Sequence, residues 1–158
     1  CDTHETEPFE PDIQQRRFSM KVYLASPFFN NEEIRNVATA EEILRRKGLD
    51  VYSPREHEDR AEAGTREWSE NIFAMDVTAI KEADIVVMLY YGNYSDSGTA
   101  WECGYAFGLN KPCIVVHIDE DSNLMIHEGS HANIIGLNGL TQYDFNTLPK
   151  HVYNGKMF

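Results

Sequence analysis

The chain has 158 residues, 42% hydrophobic and 25% charged, which suits one globular domain with a sizeable core and leaves too little chain for two. With 14 Lys and Arg against 26 Asp and Glu, the net charge of -12 disfavours nucleic-acid and acidic-membrane partners and suits a neutral ligand better than a multiply phosphorylated one. No apolar run approaches the ~20 residues of a membrane span, and no signal-peptide core is present, so the expected location is cytoplasmic.

Residues 1–19 (CDTHETEPFEPDIQQRRFS) are polar and lack a sustained period, so they read as an extension ahead of a single domain over 20–158. KVYLAS (21–26) predicts a buried strand. A helix is expected over 31–47, with Asn30 as N-cap, an apolar stripe of Ile34, Val37, Ala38 and Leu44, and Gly48 at its end. The densest cations, Arg45-Arg46-Lys47, then fall on its last turn, where they suit the helix dipole. DVYSP (50–54) is a short strand stopped by proline, followed by a polar loop. A second helix over 66–82 carries Trp68, Ile72, Met75 and Ala79 at helical spacing.

ADIVVMLYY (83–91) and PCIVVHI (112–118) are runs expected of central parallel strands, with a third helix, 98–109, between them. That helix is apolar or glycine on nearly every face and should be buried all round. Beyond it come a turn at 119–123, a helix near 123–128, a weak strand around 133–136 and an aromatic tail. Cys103 and Cys113 sit in apolar stretches, and no pair of the three cysteines has metal-ligand spacing, so buried free thiols of a reducing compartment are expected. The alternation predicts a doubly wound α/β fold, about five mainly parallel strands with helices on both faces. Such sheets bind ligands at the carboxyl ends of their strands, which points to Ser26-Pro27-Phe28, Arg55-Glu56 and the loop 92–97.

Three carboxylates carry the chemistry. Glu102 lies between Trp101 and Cys103 in the apolar helix, where a charge must be paired, hydrogen-bonded or neutralised. Thr99-x-x-Glu102 also fits a capping box, and the helix start would help keep the carboxylate ionised, as a nucleophile requires. Asp96 stands in the turn-forming YGNYSDSG loop at the ligand edge. Asp76 lies mid-helix on the stripe of Ile72 and Ile80, yet three turns from a helix start at Thr65 it would sit roughly 16 Å from that edge. His127-Glu128-Gly129-Ser130-His131 matches the H-E-x-x-H zinc pattern, but its Gly-Ser centre argues against a stable helix, and no metal is expected there. Glycine-rich phosphate loops and the nucleophile elbow are absent.

KVYLASPFF, FAMD, DSGTAWECGYA, SNLM and YNGKMF, in that order, resemble the nucleoside 2-deoxyribosyltransferases. The resemblance runs from about Lys21 to Phe158. It implies a flavodoxin-like subunit in a homo-oligomer, usually a hexamer built from dimers, that exchanges the base of a 2′-deoxynucleoside by double displacement. The substrates implied are 2′-deoxynucleosides and free nucleobases, with no cofactor. Glu102 then matches the nucleophile, Asp76 the residue that handles the proton of the base, Asp96 a contact near the sugar and base, and Tyr23 a tuner of the nucleophile. Asn123 and Met125 match residues donated to the neighbouring subunit's site, and Phe158 a chain end that reaches the site. Ser26, Phe28, Arg55 and Gly98 complete the expected substrate contacts, while Trp101 is assigned to the core. Two rivals remain open: hydrolysis of 2′-deoxynucleoside 5′-monophosphates, which needs phosphate donors in the site, and a binding module without catalysis.

Overall fold

The computed structural model describes residues 19–158, so the expected extension lies outside the described residues apart from Ser19. Five strands, β1 (Lys21–Ala25), β2 (Asp50–Tyr52), β3 (Ile85–Tyr90), β4 (Cys113–His117) and β6 (Ala132–Ile135), form one parallel sheet in the order β2-β1-β3-β4-β6. A two-stranded ribbon joins β5 (Asp121–Ser122) to β7 (Lys156–Met157). The helices are α1 (Asn31–Arg46), α2 (Arg66–Glu82), α3 (Ser97–Gly108), α4 (Leu124–Glu128) and α5 (Gly136–Gln142). Among the described residues no helix is long and apolar enough to cross a membrane.

Strand residues alternate between two cores, as period-two geometry requires when both sheet faces are covered. Val22, Leu24, Ile85, Val87, Leu89, Ile114 and Val116 face Val37, Ala40 and Leu44 of α1 and Leu140 of α5. Tyr23, Ala25, Val86, Met88, Tyr90 and Val115 face Ala79 and Ile80 of α2 and Cys103 and Ala106 of α3. The chain reverses its direction of winding between β1 and β3, and the segments leaving their carboxyl ends open the crevice that holds the site.

α1 begins as expected: the Asn30 side chain accepts from Glu33 N at 2.9 Å, and Arg45 and Arg46 occupy the last turn. The strands anticipated over 50–54 and 83–91 are shorter because Pro54 opens a 3-10 turn and the segment 83–84 precedes the ladder. α5 was not foreseen. GLNGLTQ has two glycines and no apolar stripe, and the helix is fastened by Leu140 in the core rather than by propensity. β5 and β7 are too short for a periodic signal, and backbone bonds hold them: Leu124 N donates to Phe158 O and Phe158 N to Ser122 O.

Gly92, after β3, has φ +59°, and a Cβ there would lie 1.9 Å from Asp121 Oδ1 and 2.8 Å from Asp121 O. That aspartate accepts from Asn93 N at 3.1 Å and ties the loop before α3 to β5. Gly92→Ala combines a left-handed backbone with this collision. It should lower the unfolding free energy by roughly 1–3 kcal/mol, seen as an earlier urea midpoint, and an unchanged midpoint would contradict the clamp.

Candidate active site

A cavity of about 560 Å³ lies at the carboxyl ends of β1 and β2. Ser26, Pro27 and Phe28 follow β1 into it, Arg55 and His57 follow β2, and Asp96, Thr99 and Glu102 enter from the start of α3. The fourth wall is α2, through Trp68, Ile72, Met75 and Asp76. Their spacing of four, three and one residues is that of one helix face. Helical spacing does not say what the first three face, and only the C-terminal half of α2, at Ala79 and Ile80, reaches the core. The N-terminal half runs alongside the cavity, which removes the distance conflict for Asp76: α2 lines the site instead of beginning at it.

Asp96, not Thr99, is the N-cap of α3. Its Oδ2 accepts from Thr99 N and from the Thr99 hydroxyl, both at 3.0 Å. The capping box is thereby overturned: Glu102 sits six residues past the cap, where no free N–H remains for it to serve. Asp96 has both turn chemistry and an Oδ1 at the cavity edge that no described residue engages. Gly98 does not line the main cavity. It borders an adjoining cleft of about 430 Å³ with Phe73, Asp76, Trp101 and Glu102, and a Cβ there would press to 3.0 Å from Asp96 Oδ2.

Glu102 is not held ionised by the helix start. Burial pushes its pKa up from 4.5 to about 7, the Tyr23 hydroxyl pulls it down, and the charges of Asp76 and Asp96 push it further up. Burial also raises Asp76, from 3.8 to about 6. Both carboxyl groups therefore titrate near neutrality, and the charge of Asp76 adds to the rise at Glu102. Tyr23 is completely buried beneath the cavity, and its pKa lies far above the ordinary value, through burial first and then the charges of Glu102 and Asp76. Tyr23 influences the Glu102 carboxylate, but the geometry stops short of a closed hydrogen bond, since Tyr23 Oη and Glu102 Oε2 are both buried without a partner among the described residues. The Tyr23 ring stacks on Tyr52 at 5.7 Å, and Tyr52 on His57 at 4.1 Å.

Arg55 reaches the cavity wall with its charge already engaged. Buried Glu41 of α1 accepts from Arg55 Nε at 2.7 Å, from Arg55 Nη2 and from Ser53 Oγ at 2.6 Å. Ser26 Oγ donates to Pro27 O at 2.8 Å, and Phe28 is exposed and stacked on Phe29. Asn123, Met125 and Phe158 do not line the cavity of Glu102. They border a separate groove of about 890 Å³, with Asp96, Ser97, Trp101, Phe107 and Ile126. Asn123 accepts from Met125 N at 2.9 Å and caps α4.

α3 is not buried all round. Trp101 is 49% and Phe107 62% exposed, so Trp101 is not a core residue. The H-E-x-x-H segment forms no two-histidine helix face, because α4 ends at Glu128. His127 Nδ1 lies 2.9 Å from Ser122 Oγ, and His131 Nε2 donates to Leu148 O at 2.7 Å.

A family model for nucleoside 2-deoxyribosyltransferase matches residues 22–145, most of the described chain. The chain belongs to the nucleoside 2-deoxyribosyltransferase family. Within that family it is similar to a solved 2-deoxyribosyltransferase from Bacillus psychrosaccharolyticus, with 42% identity and a TM-score of 0.77 over 85% of this chain and 99% of that one. Curated nucleoside deoxyribosyltransferases of Lactobacillus johnsonii and Limosilactobacillus fermentum are 28% and 27% identical, over 59% and 87% of this chain. The matched stretches span 64% and 88% of those two relatives. Sequence reasoning in family terms missed Glu41, Tyr52, His57 and Trp68. Only its helical spacing to Ile72, Met75 and Asp76, at i+4, i+7 and i+8, marks Trp68, and nothing local marks Glu41, whose partner Arg55 lies 14 residues away.

Because the folded protein holds the Glu102 proton more tightly than the unfolded chain, the stability linked to it is complete below about pH 4.5 and is lost as pH rises through about 7. Glu102→Gln removes that loss. The variant should be more stable than wild type by up to about 3 kcal/mol near pH 9, with the gain vanishing near pH 4. Denaturant midpoints across pH measure it, and a pH-independent difference would contradict the assignment.

Proposed function

We propose that this chain transfers the 2-deoxyribosyl group between nucleobases, by double displacement through a deoxyribosyl ester of Glu102. The observation that carries the proposal is the pair of half-buried carboxyl groups, Glu102 and Asp76, on one cavity, with pKa values raised by desolvation to about 7 and about 6. Ionised Glu102 attacks C1′ of the deoxynucleoside, and the C1′–N bond breaks. Asp76 delivers its proton to the departing base nitrogen. The incoming base then attacks C1′ from the face the first base left, the ester bond breaks, and Asp76 takes the proton from the new base. Two inversions retain the β configuration. The active state has Asp76 protonated and Glu102 ionised, one of the two singly protonated forms of a coupled pair.

Tyr23 stands where its hydroxyl can stabilise the Glu102 anion, and Asp96 Oδ1, left free by the cap, is available to a sugar hydroxyl. Ser26, Phe28 and Gly98 flank the substrate. The arginine that would serve a 5′-phosphate is neutralised by Glu41, which favours a free nucleoside over a nucleoside monophosphate. Asn123, Met125 and Phe158 are assigned to the neighbouring subunit's site. In support, they sit outside their own Glu102 cavity, on a groove rimmed by exposed Trp101, Phe107 and Met125, which a second copy would cover.

Incubation with thymidine and adenine should yield thymine and 2′-deoxyadenosine of β configuration. The rate should form a bell in pH with limbs near the pair's values, about 6 and about 7. Glu102→Ala should lower kcat on the order of 10³-fold or more, and Asp76→Ala about 10²-fold. Absence of exchange and of slow hydrolysis across several bases rejects the reaction, and a fully active Glu102→Ala enzyme rejects the mechanism.

Sharing of sites has its own test. Glu102→Ala and Asn123→Ala subunits, each impaired alone, should regain activity when unfolded together and refolded. A hybrid pair restores one site containing both native residues. If mixing restores nothing although light scattering reports oligomers, Asn123 serves its own subunit.

A further inference from the structure

Cys103 lies on the sheet side of α3 and is 4% exposed, and Cys113 opens β4 at 1% exposed. Their Sγ atoms are 2.9 Å apart, well inside the roughly 3.5–4.0 Å at which non-bonded heavy atoms pack. The proposed chemistry uses neither thiol. Cys103 is the residue after Glu102, so the pair links the turn that carries this carboxylate to a central strand. One edge of Cys103 borders the 890 Å³ groove, which in a subunit not covered by a second copy provides a route for a molecule as small as hydrogen peroxide.

We propose that Cys103 and Cys113 are a reversible thiol–disulfide pair, oxidised by peroxide and reduced by small thiols, that fastens α3 to β4. Cys103 is the attacking sulfur. The hydrogen bond with Cys113 lowers the Cys103 pKa, and the same bond and complete burial raise that of Cys113. The Cys103 thiolate attacks one peroxide oxygen and the O–O bond breaks. Sulfur is oxidised by two electrons to the sulfenic acid, and the released hydroxide takes up the proton Cys103 gave. Cys113 sulfur then attacks Sγ of Cys103, the S–S bond forms as the S–O bond breaks, and the leaving hydroxide takes the Cys113 proton. Two thiols and one peroxide become one disulfide and two waters. Closing 2.9 Å to a bond of about 2.0 Å draws the turn that carries Glu102 towards β4.

The test uses the full chain carrying Cys1→Ser, which leaves two thiols. After hydrogen peroxide, intact mass should fall by about 2 Da with no retained oxygen, both thiols should escape alkylation in denaturant, and dithiothreitol should reverse both changes. Cys113→Ser should instead retain oxygen at Cys103. Stable oxygen gain in the parent, cross-linked chains, or two thiols that remain alkylatable would overturn the proposal. These readouts need no enzymatic activity, so they stand or fall apart from the transferase reading. Base exchange, which rests on that reading, should slow about ten-fold or more in the oxidised protein and recover on reduction. An unchanged rate in protein whose mass shows the disulfide would overturn the link to Glu102. Absence of exchange in the reduced protein would count against the transferase reading alone.

Discussion

Desolvation of the Glu102 carboxylate governs the arrangement around it. A carboxyl group in water ionises well below neutral pH, but in the apolar wall between α3 and β1 the anion loses hydration, and about 7 is the result. The surroundings offer limited compensation. Tyr23 pulls the value down without closing a hydrogen bond, while Asp76 and Asp96 push it up. A site built this way stores an unsatisfied acceptor beside an unsatisfied hydroxyl. In the proposed reaction that acceptor is the attacking atom, which a strong hydrogen bond would blunt.

The same economy of charge extends outward. Net acidity is high, yet the arginine at the cavity wall is bound to a buried glutamate of α1 and so positions the loop after β2 instead of offering a free cation. Asp96 is divided similarly, one oxygen fixing the start of α3 and the other left at the cavity edge. Each of these side chains has a structural bond that sets where its remaining polar atoms point, which is how a cavity gains preorganised chemistry from surface loops.

α3 has a second face. Its inner side packs Cys103 and Ala106 against the sheet, and its outer side leaves Trp101 and Phe107 bare along the groove bordered by α4 and the chain end. Apolar surface of this kind is costly in water, and it is the surface that the proposed second copy would cover. The H-E-x-x-H histidines belong to the support of this region. His127 packs at a tilt against Tyr153 and contacts Ser122, which holds the segment bearing Asn123 and Met125 in place.

Local signals determined much of this protein from sequence alone. Apolar β-branched runs marked β3 and β4, and the Asn30 cap with its apolar stripe marked α1. Strand–helix alternation implied the doubly wound sheet, and the sheet pointed to Ser26, Arg55 and the loop before Asp96 as its ligand edge. These features are written in neighbours a few residues apart, where periodicity and capping act. Tertiary structure decided the rest. That Asp96 caps α3 is visible only with the loop after β3 in place, a loop that Asn93 ties to Asp121, 28 residues away. Whether Trp68 and Met75 serve the core or the cavity depended on how far α2 overhangs the sheet. The ionisation of Glu102 and the neutralisation of Arg55 depended on which groups fold against them. Burial and charge pairing are properties of space, and a chain specifies them only once its distant segments have met.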